Sequence, residues 1–93
     1  NRKTTISYSL VDRKAMVLPN PVYTCPEGGT IVISIIVDEL GKITKMDFNP
    51  TLSSTSNGCL IDAAMEYAQQ SRFSTKAGKK KQMGTITYKF PGQ

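Results

Sequence analysis

Ninety-three residues make one small domain, able to bury only about 60–65% of its unfolded surface, so any covalent staple weighs heavily in its stability. Twelve Lys and Arg against seven Asp and Glu give a formal charge of +5, a modest excess that permits attraction to anionic partners without naming one. Histidine is absent and no run approaches the ~20 apolar residues of a membrane span; the start at Asn1, with neither an initiator Met nor a signal-peptide pattern, reads as a fragment cut from something longer.

Residues 1–9 are polar, with one alternating patch, Thr5-Ile6-Ser7-Tyr8, read as a linker in preference to an edge strand. The apolar piece Ala15-Met16-Val17-Leu18 ends at Pro19, and Pro21 follows. Both prolines push the preceding residue to extended geometry, so residues 18–23 are expected as an extended arm lying over the domain. Residues 1–17 are thus expected as linker and N-terminal arm, and residues 18–93 as the folded domain. Cys25-Pro26-Glu27-Gly28-Gly29 is a turn that feeds the first main strand.

Ile31, Ile33, Ile35 and Val37 recur at every second residue, the period that lines one face of a strand, so that face is expected to be buried. Asp38-Glu39-Leu40-Gly41 suits a type I turn, with Gly41 free to take positive φ and return the chain antiparallel. In the returning strand Ile43 is out of phase with Met46 and Phe48. A bulge near Thr44 and Lys45 would bring all three to the core side.

The Ser-, Thr- and Asn-rich stretch 49–58 reads as a surface loop. A helix follows, with Ser56 or Asn57 as its cap and Asp62 expected in its first turn, against the positive end of the macrodipole. Leu60, Ala63, Ala64, Tyr67, Ala68 and Ser71 share one face, whose small alanines let the helix sit close to a sheet. Ile61 and Met65 form a second stripe toward the arm. Arg72-Phe73 is expected to end the helix, with Phe73 tucked into the core.

Lys76, Lys79, Lys80 and Lys81 surround Gly78 in a loop without interleaved aromatics, so a solvated loop outweighs a nucleic-acid site. The last strand spans 83–90, with Ile86, Tyr88 and Phe90 on one side and Thr85, Thr87 and Lys89 on the other. Strand, strand, helix, strand defines an α+β fold: a small antiparallel three-stranded sheet with one main helix packed on it. A right-handed crossover places the last strand beside the first and leaves it at the sheet's edge.

Without histidine, Cys25 and Cys59 can neither complete a tetrahedral zinc site nor find an imidazole base, which leaves a disulfide or two inert buried thiols. No phosphate-cradling loop or dinucleotide fingerprint occurs, and the seven carboxylates fall mostly in turns and on polar faces. The chain is therefore read as a binding domain, not an enzyme, with no metal, no cofactor and no nucleic-acid partner expected.

The order Gly29-Thr30-Ile31-Val32-Ile33-Ser34-Ile35-Ile36-Val37-Asp38, Gly41-Lys42-Ile43, Leu60 with Ala63-Ala64, Arg72-Phe73 and Gly84-Thr85-Ile86-Thr87-Tyr88-Lys89-Phe90 resembles the C-terminal domain of TonB proteins, over residues 18–90. Leu18-Pro19-Asn20-Pro21-Val22-Tyr23-Thr24-Cys25 and Cys59-Leu60 look most like the TonB-like domains of Bacteroidetes. In that group cysteines recur at these two places, so the resemblance implies a Cys25–Cys59 disulfide. The chain differs from many members in carrying Ser71 and Ser74 where Trp and Pro often stand, and Thr24-Cys25 between Tyr23 and Pro26.

The resemblance implies a function. TonB proteins are anchored in the inner membrane, cross the periplasm, and pair a short transporter segment, the TonB box, with the edge of the last strand of this domain. They thereby pass the work of a proton-driven motor to outer-membrane transporters. By position, Thr85, Ile86, Thr87, Tyr88, Lys89 and Phe90 would be the receiving edge strand. The implied location is the periplasm, with an inner-membrane anchor upstream, and a homodimer is a further implied arrangement. The same likeness allows a second reading: an interaction or dimerisation module on another membrane-anchored envelope protein, such as a sensor peptidase, with no part in transport.

Overall fold

The computed structural model describes residues 4–92, and the alternating isoleucines set its centre. Strands β1 (Thr5–Ser9), β2 (Ala15–Val17), β3 (Gly29–Val37) and β4 (Ile43–Phe48) precede helix α1 (Gly58–Gln69); β5 (Arg72–Phe73) and β6 (Gln82–Phe90) follow it. One sheet has the order β1-β6-β3-β4, and β2 pairs with β5 in a second, two-stranded sheet. All of these pairings are antiparallel. The fold is α+β with a helix on one sheet face, as expected, but among the described residues the strands number four plus two, not three.

Ile31, Ile33, Ile35 and Val37 are buried to 2% exposure or less, and Ile86, Tyr88 and Phe90 of β6 meet them on the same side. Leu60, Ala64 and Ala68 close this core from α1 with no exposed surface. Ile43, Met46 and Phe48 all pack against it, because Ile36 faces Lys45 while Val37 faces Ile43, which leaves Thr44 as the extra residue of a bulge. Gly41 takes φ +84° in the turn between β3 and β4, where its N–H donates to the Asp38 carbonyl at 3.1 Å. A Cβ there would collide with the Phe73 carbonyl, so the position needs glycine on two counts.

Beyond the reach of β4, the loop before α1 finishes the exposed side of β3. The Thr30 N–H donates to the Ser54 hydroxyl and the Val32 N–H to the Ser53 hydroxyl, each at 2.8 Å. The hydroxyl-rich composition of that loop therefore has a local task, standing in for strand partners. Asn57 caps α1 by accepting the Leu60 N–H at 3.1 Å.

Four sequence expectations need correction. Residues 5–9 and 15–17 are strands β1 and β2 where a linker and arm were expected. The last strand is not an edge, because β1 lies along its free side. Asp62 lies beyond the first turn of α1, since the helix starts at Gly58 and carries no acidic residue there. Arg72 and Phe73 leave the helix to pair with Val17 and Ala15, while Phe73 is buried as expected.

Candidate functional site

The six residues expected to receive a partner, 85–90, all lie in β6. Its two sides are occupied differently. Toward β3 it pairs over nine residues, from Gly29 opposite Phe90 to Val37 opposite Gln82. Toward β1 it pairs over five, from Thr5 opposite Lys89 to Ser9 opposite Thr85. Thr85, Ile86, Thr87, Tyr88 and Lys89 are thus flanked on both sides, and Phe90 lies outside the β1 register.

The covering strand has a thin hold along its length and a firm one at its end. Four of the five β1 residues are exposed and Ile6 is half-buried, so side-chain burial adds little to the backbone ladder. Tyr8 sets its ring edge-on to Phe73 with centroids 5.4 Å apart, and its hydroxyl accepts the Ala15 N–H at 3.0 Å. Just past the strand, Leu10 is buried beside Gly84.

Arg13 is then 5% exposed and, among the described residues, meets no carboxylate. Its Nε donates to Gln82 Oε1 at 2.8 Å and its Nη1 to the Asp38 and Ser74 carbonyls at 2.6 and 3.1 Å. Nη2 donates to the Lys79 carbonyl at 3.2 Å, and Gln82 Nε2 returns to the Val11 carbonyl at 2.7 Å. A planar fork of five donors can serve several carbonyls at once, which lets this buried cation be satisfied by dipoles alone. Sequence reasoning missed β1, Leu10 and Arg13; the alternation of residues 5–8 was the only signal for any of them.

At the far end of β6 the disulfide is formed. Cys25 and Cys59 bond with their Cα atoms 5.9 Å apart, tying the segment before β3 to the first turn of α1. Tyr23 packs edge-on to Phe90 at 4.7 Å, and its hydroxyl accepts the Gly92 N–H at 3.2 Å. The end of β6 is therefore closed over by the pinned arm.

Inside, Tyr88 has no exposed surface and its hydroxyl has no hydrogen-bond partner. Desolvation pushes its pKa up to about 12. The nearby Ser71 hydroxyl, which donates to the Tyr67 carbonyl at 3.0 Å, offsets part of this. On the opposite, outer face of the sheet an open hollow of about 330 Å³ is lined by Ser34, Ile36, Lys45, Asp47, Met83 and Thr85. Among the described residues no three Cys, Asp or Glu side chains converge as a metal site would require.

Comparison with known protein families, curated proteins and solved structures finds no match to this chain.

Proposed function

We propose that this chain is a partner-gripping domain of TonB type, which holds an outer-membrane transporter by adding its TonB box to the sheet along β6 and relays work from the proton-driven motor of the inner membrane. The receiving groups are the backbone N–H and C=O of residues 85–90. Since β1 holds that side of the strand, β1 withdraws before the partner segment pairs. One strand replaces another, so the main-chain hydrogen bonds are conserved in number and the exchange turns on side chains and strand length.

The observation that carries this reading is the contrast between the two sides of β6. The β3 side is a nine-residue ladder backed by the core, whereas the β1 side is a five-residue ladder with four exposed side chains. The Cys25–Cys59 bond is compatible with an oxidising compartment such as the periplasm.

Titration with a TonB-box peptide, followed by amide NMR, tests the reading. We expect shifts at residues 85–90 together with loss of protection at residues 5–9. The combined changes Ile6→Pro and Ser7→Pro, which remove the β1 N–H facing β6 whichever residue supplies it, should tighten peptide binding. Unmoved resonances at millimolar peptide, or an affinity indifferent to the prolines, would reject it.

A further inference from the structure

The sheet end where β3 turns into β4 gathers cations, and backbone hydrogen bonds hold them there. The Ser74 N–H donates to the Lys14 carbonyl at 2.8 Å, and Lys42 bridges to Arg72. The lysine loop is tied to the same turn: the Lys76 N–H donates to the Glu39 carbonyl at 2.9 Å and the Gly78 N–H to the Glu39 carboxylate at 2.8 Å. Arg13 adds its bonds to the carbonyls of Asp38 and Lys79. The loop is solvated, as expected, with Lys79, Lys80 and Lys81 exposed, and its backbone is tied to the β3–β4 turn.

Lys14, Lys42, Lys79, Lys80 and Lys81 are exposed at this end, as is Arg72, whose Nη1 donates to the Gln69 and Ser71 carbonyls, and among the described residues none of them is in an ion pair. The carboxylates among them are already engaged. Asp12 faces Lys76 Nζ at 3.6 Å, Asp38 Oδ1 accepts the N–H groups of Leu40 and Lys42 at 2.9 Å each, and Glu39 accepts that of Gly78. At the tip Leu40 is 66% exposed, beside Thr75 and Ala77. Val17 of β2, 48% exposed, pairs with Arg72, and its chain neighbour Met16 is 68% exposed.

We propose that this end is a docking surface for a bilayer carrying anionic lipid headgroups. A cluster of lysines around protruding aliphatic side chains suits such a surface, because the cations meet headgroup phosphates while the aliphatic tip reaches the acyl boundary. A nucleic acid would use the charge but gain nothing from Leu40, and the loop 74–82 has no aromatic side chain on which a base could stack. This inference does not depend on strand addition at β6.

Cosedimentation of the 93-residue chain with lipid vesicles tests it. The chain should be retained by equimolar phosphatidylcholine and phosphatidylglycerol at low ionic strength, released by salt, and passed over by phosphatidylcholine alone. The combined changes Lys79→Gln, Lys80→Gln and Lys81→Gln should weaken binding roughly a hundredfold, at roughly fivefold per lysine near an anionic membrane. Leu40→Ser should weaken it by about fivefold or more. Circular dichroism and the intact disulfide would show that both variants remain folded. No binding by the unmodified chain, equal binding to neutral vesicles, binding unchanged in either variant, or retention on duplex DNA without retention on vesicles overturns the proposal.

Discussion

Leu10 fills the space that a side chain at Gly84 would need: a Cβ on Gly84 would fall 2.6 Å from Leu10 Cδ1 and 2.5 Å from the Ser9 carbonyl oxygen. Glycine at this point of β6 lets the chain that leaves β1 cross closely over the sheet and bury Leu10. Gly84→Ala should therefore destabilise the domain by about 1–3 kcal/mol through overpacking, although alanine is intrinsically the better strand residue. Urea denaturation should show a lower midpoint with an unchanged slope.

Arg13, between β1 and β2, links that segment to the β3–β4 turn, the β5–β6 loop and the start of β6. Arg13→Met removes the fork and takes a donor from the Ser74 and Lys79 carbonyls and from the buried Gln82 Oε1, while the Asp38 carbonyl keeps only the Gly41 N–H, which should cost about 2–4 kcal/mol. Arg13→Lys should recover only part of this, since an ammonium cannot reach the Gln82, Asp38, Ser74 and Lys79 oxygens together. Thermal melts of both variants check the order, and amide exchange in residues 74–81 should quicken in each.

The Cys25–Cys59 bond closes a sequence separation of 34, which should contribute about 3–4 kcal/mol on the chain-entropy view. Cys25→Ala combined with Cys59→Ala should lower the denaturation midpoint accordingly. Denatured but unreduced protein should take up no alkylating reagent, and two modified cysteines would contradict the bond.

Tyr88 sets an alkaline limit. Its folded pKa of about 12 lies above the ordinary value of 10.0, so the folded state holds the phenol proton more tightly than the unfolded chain. That contribution is complete below pH ~10 and is lost as pH rises toward about 12, amounting to about 2–3 kcal/mol in all. Tyr88→Phe should flatten this limb of the stability profile. At neutral pH it should change stability by about 1 kcal/mol or less, because the hydroxyl it removes is buried without a partner.

The two sides of β6 should also differ in hydrogen exchange. Amides of residues 5–9 that face β6 should open locally and exchange well ahead of those joining β3 to β6, which open only with the core. Equal protection on both sides would remove the basis for strand exchange.

What could be read beforehand follows from how much side-chain burial each element has. The period of Ile31, Ile33, Ile35 and Val37, the turn at Gly41 and the slip between Ile43 and Met46 are all legible because a buried face imposes them. β1 is different: Thr5–Ser9 buries almost nothing, and its conformation comes from pairing with β6, a relation between distant residues that leaves only the short alternation of residues 5–8. Overlooking it also misplaced the sheet edge, and with it the open face of residues 85–89. Ser71 falls on the helical stripe and is fully buried, which extended the expected helix by a turn and hid β5. Arg13 gave no warning because arginine is so seldom buried.

Because Thr5 lies opposite Lys89 while the chain is clamped again at Leu10 and Arg13, a load pulling on the chain ahead of Thr5 meets the β1 ladder before it meets the core. Drawn back over the sheet, the five residues would peel in succession and free about 17 Å of chain, at roughly 3.4 Å for each, before tension reached the clamp. Traction on that end would thus part β1 from β6 before it strained the core.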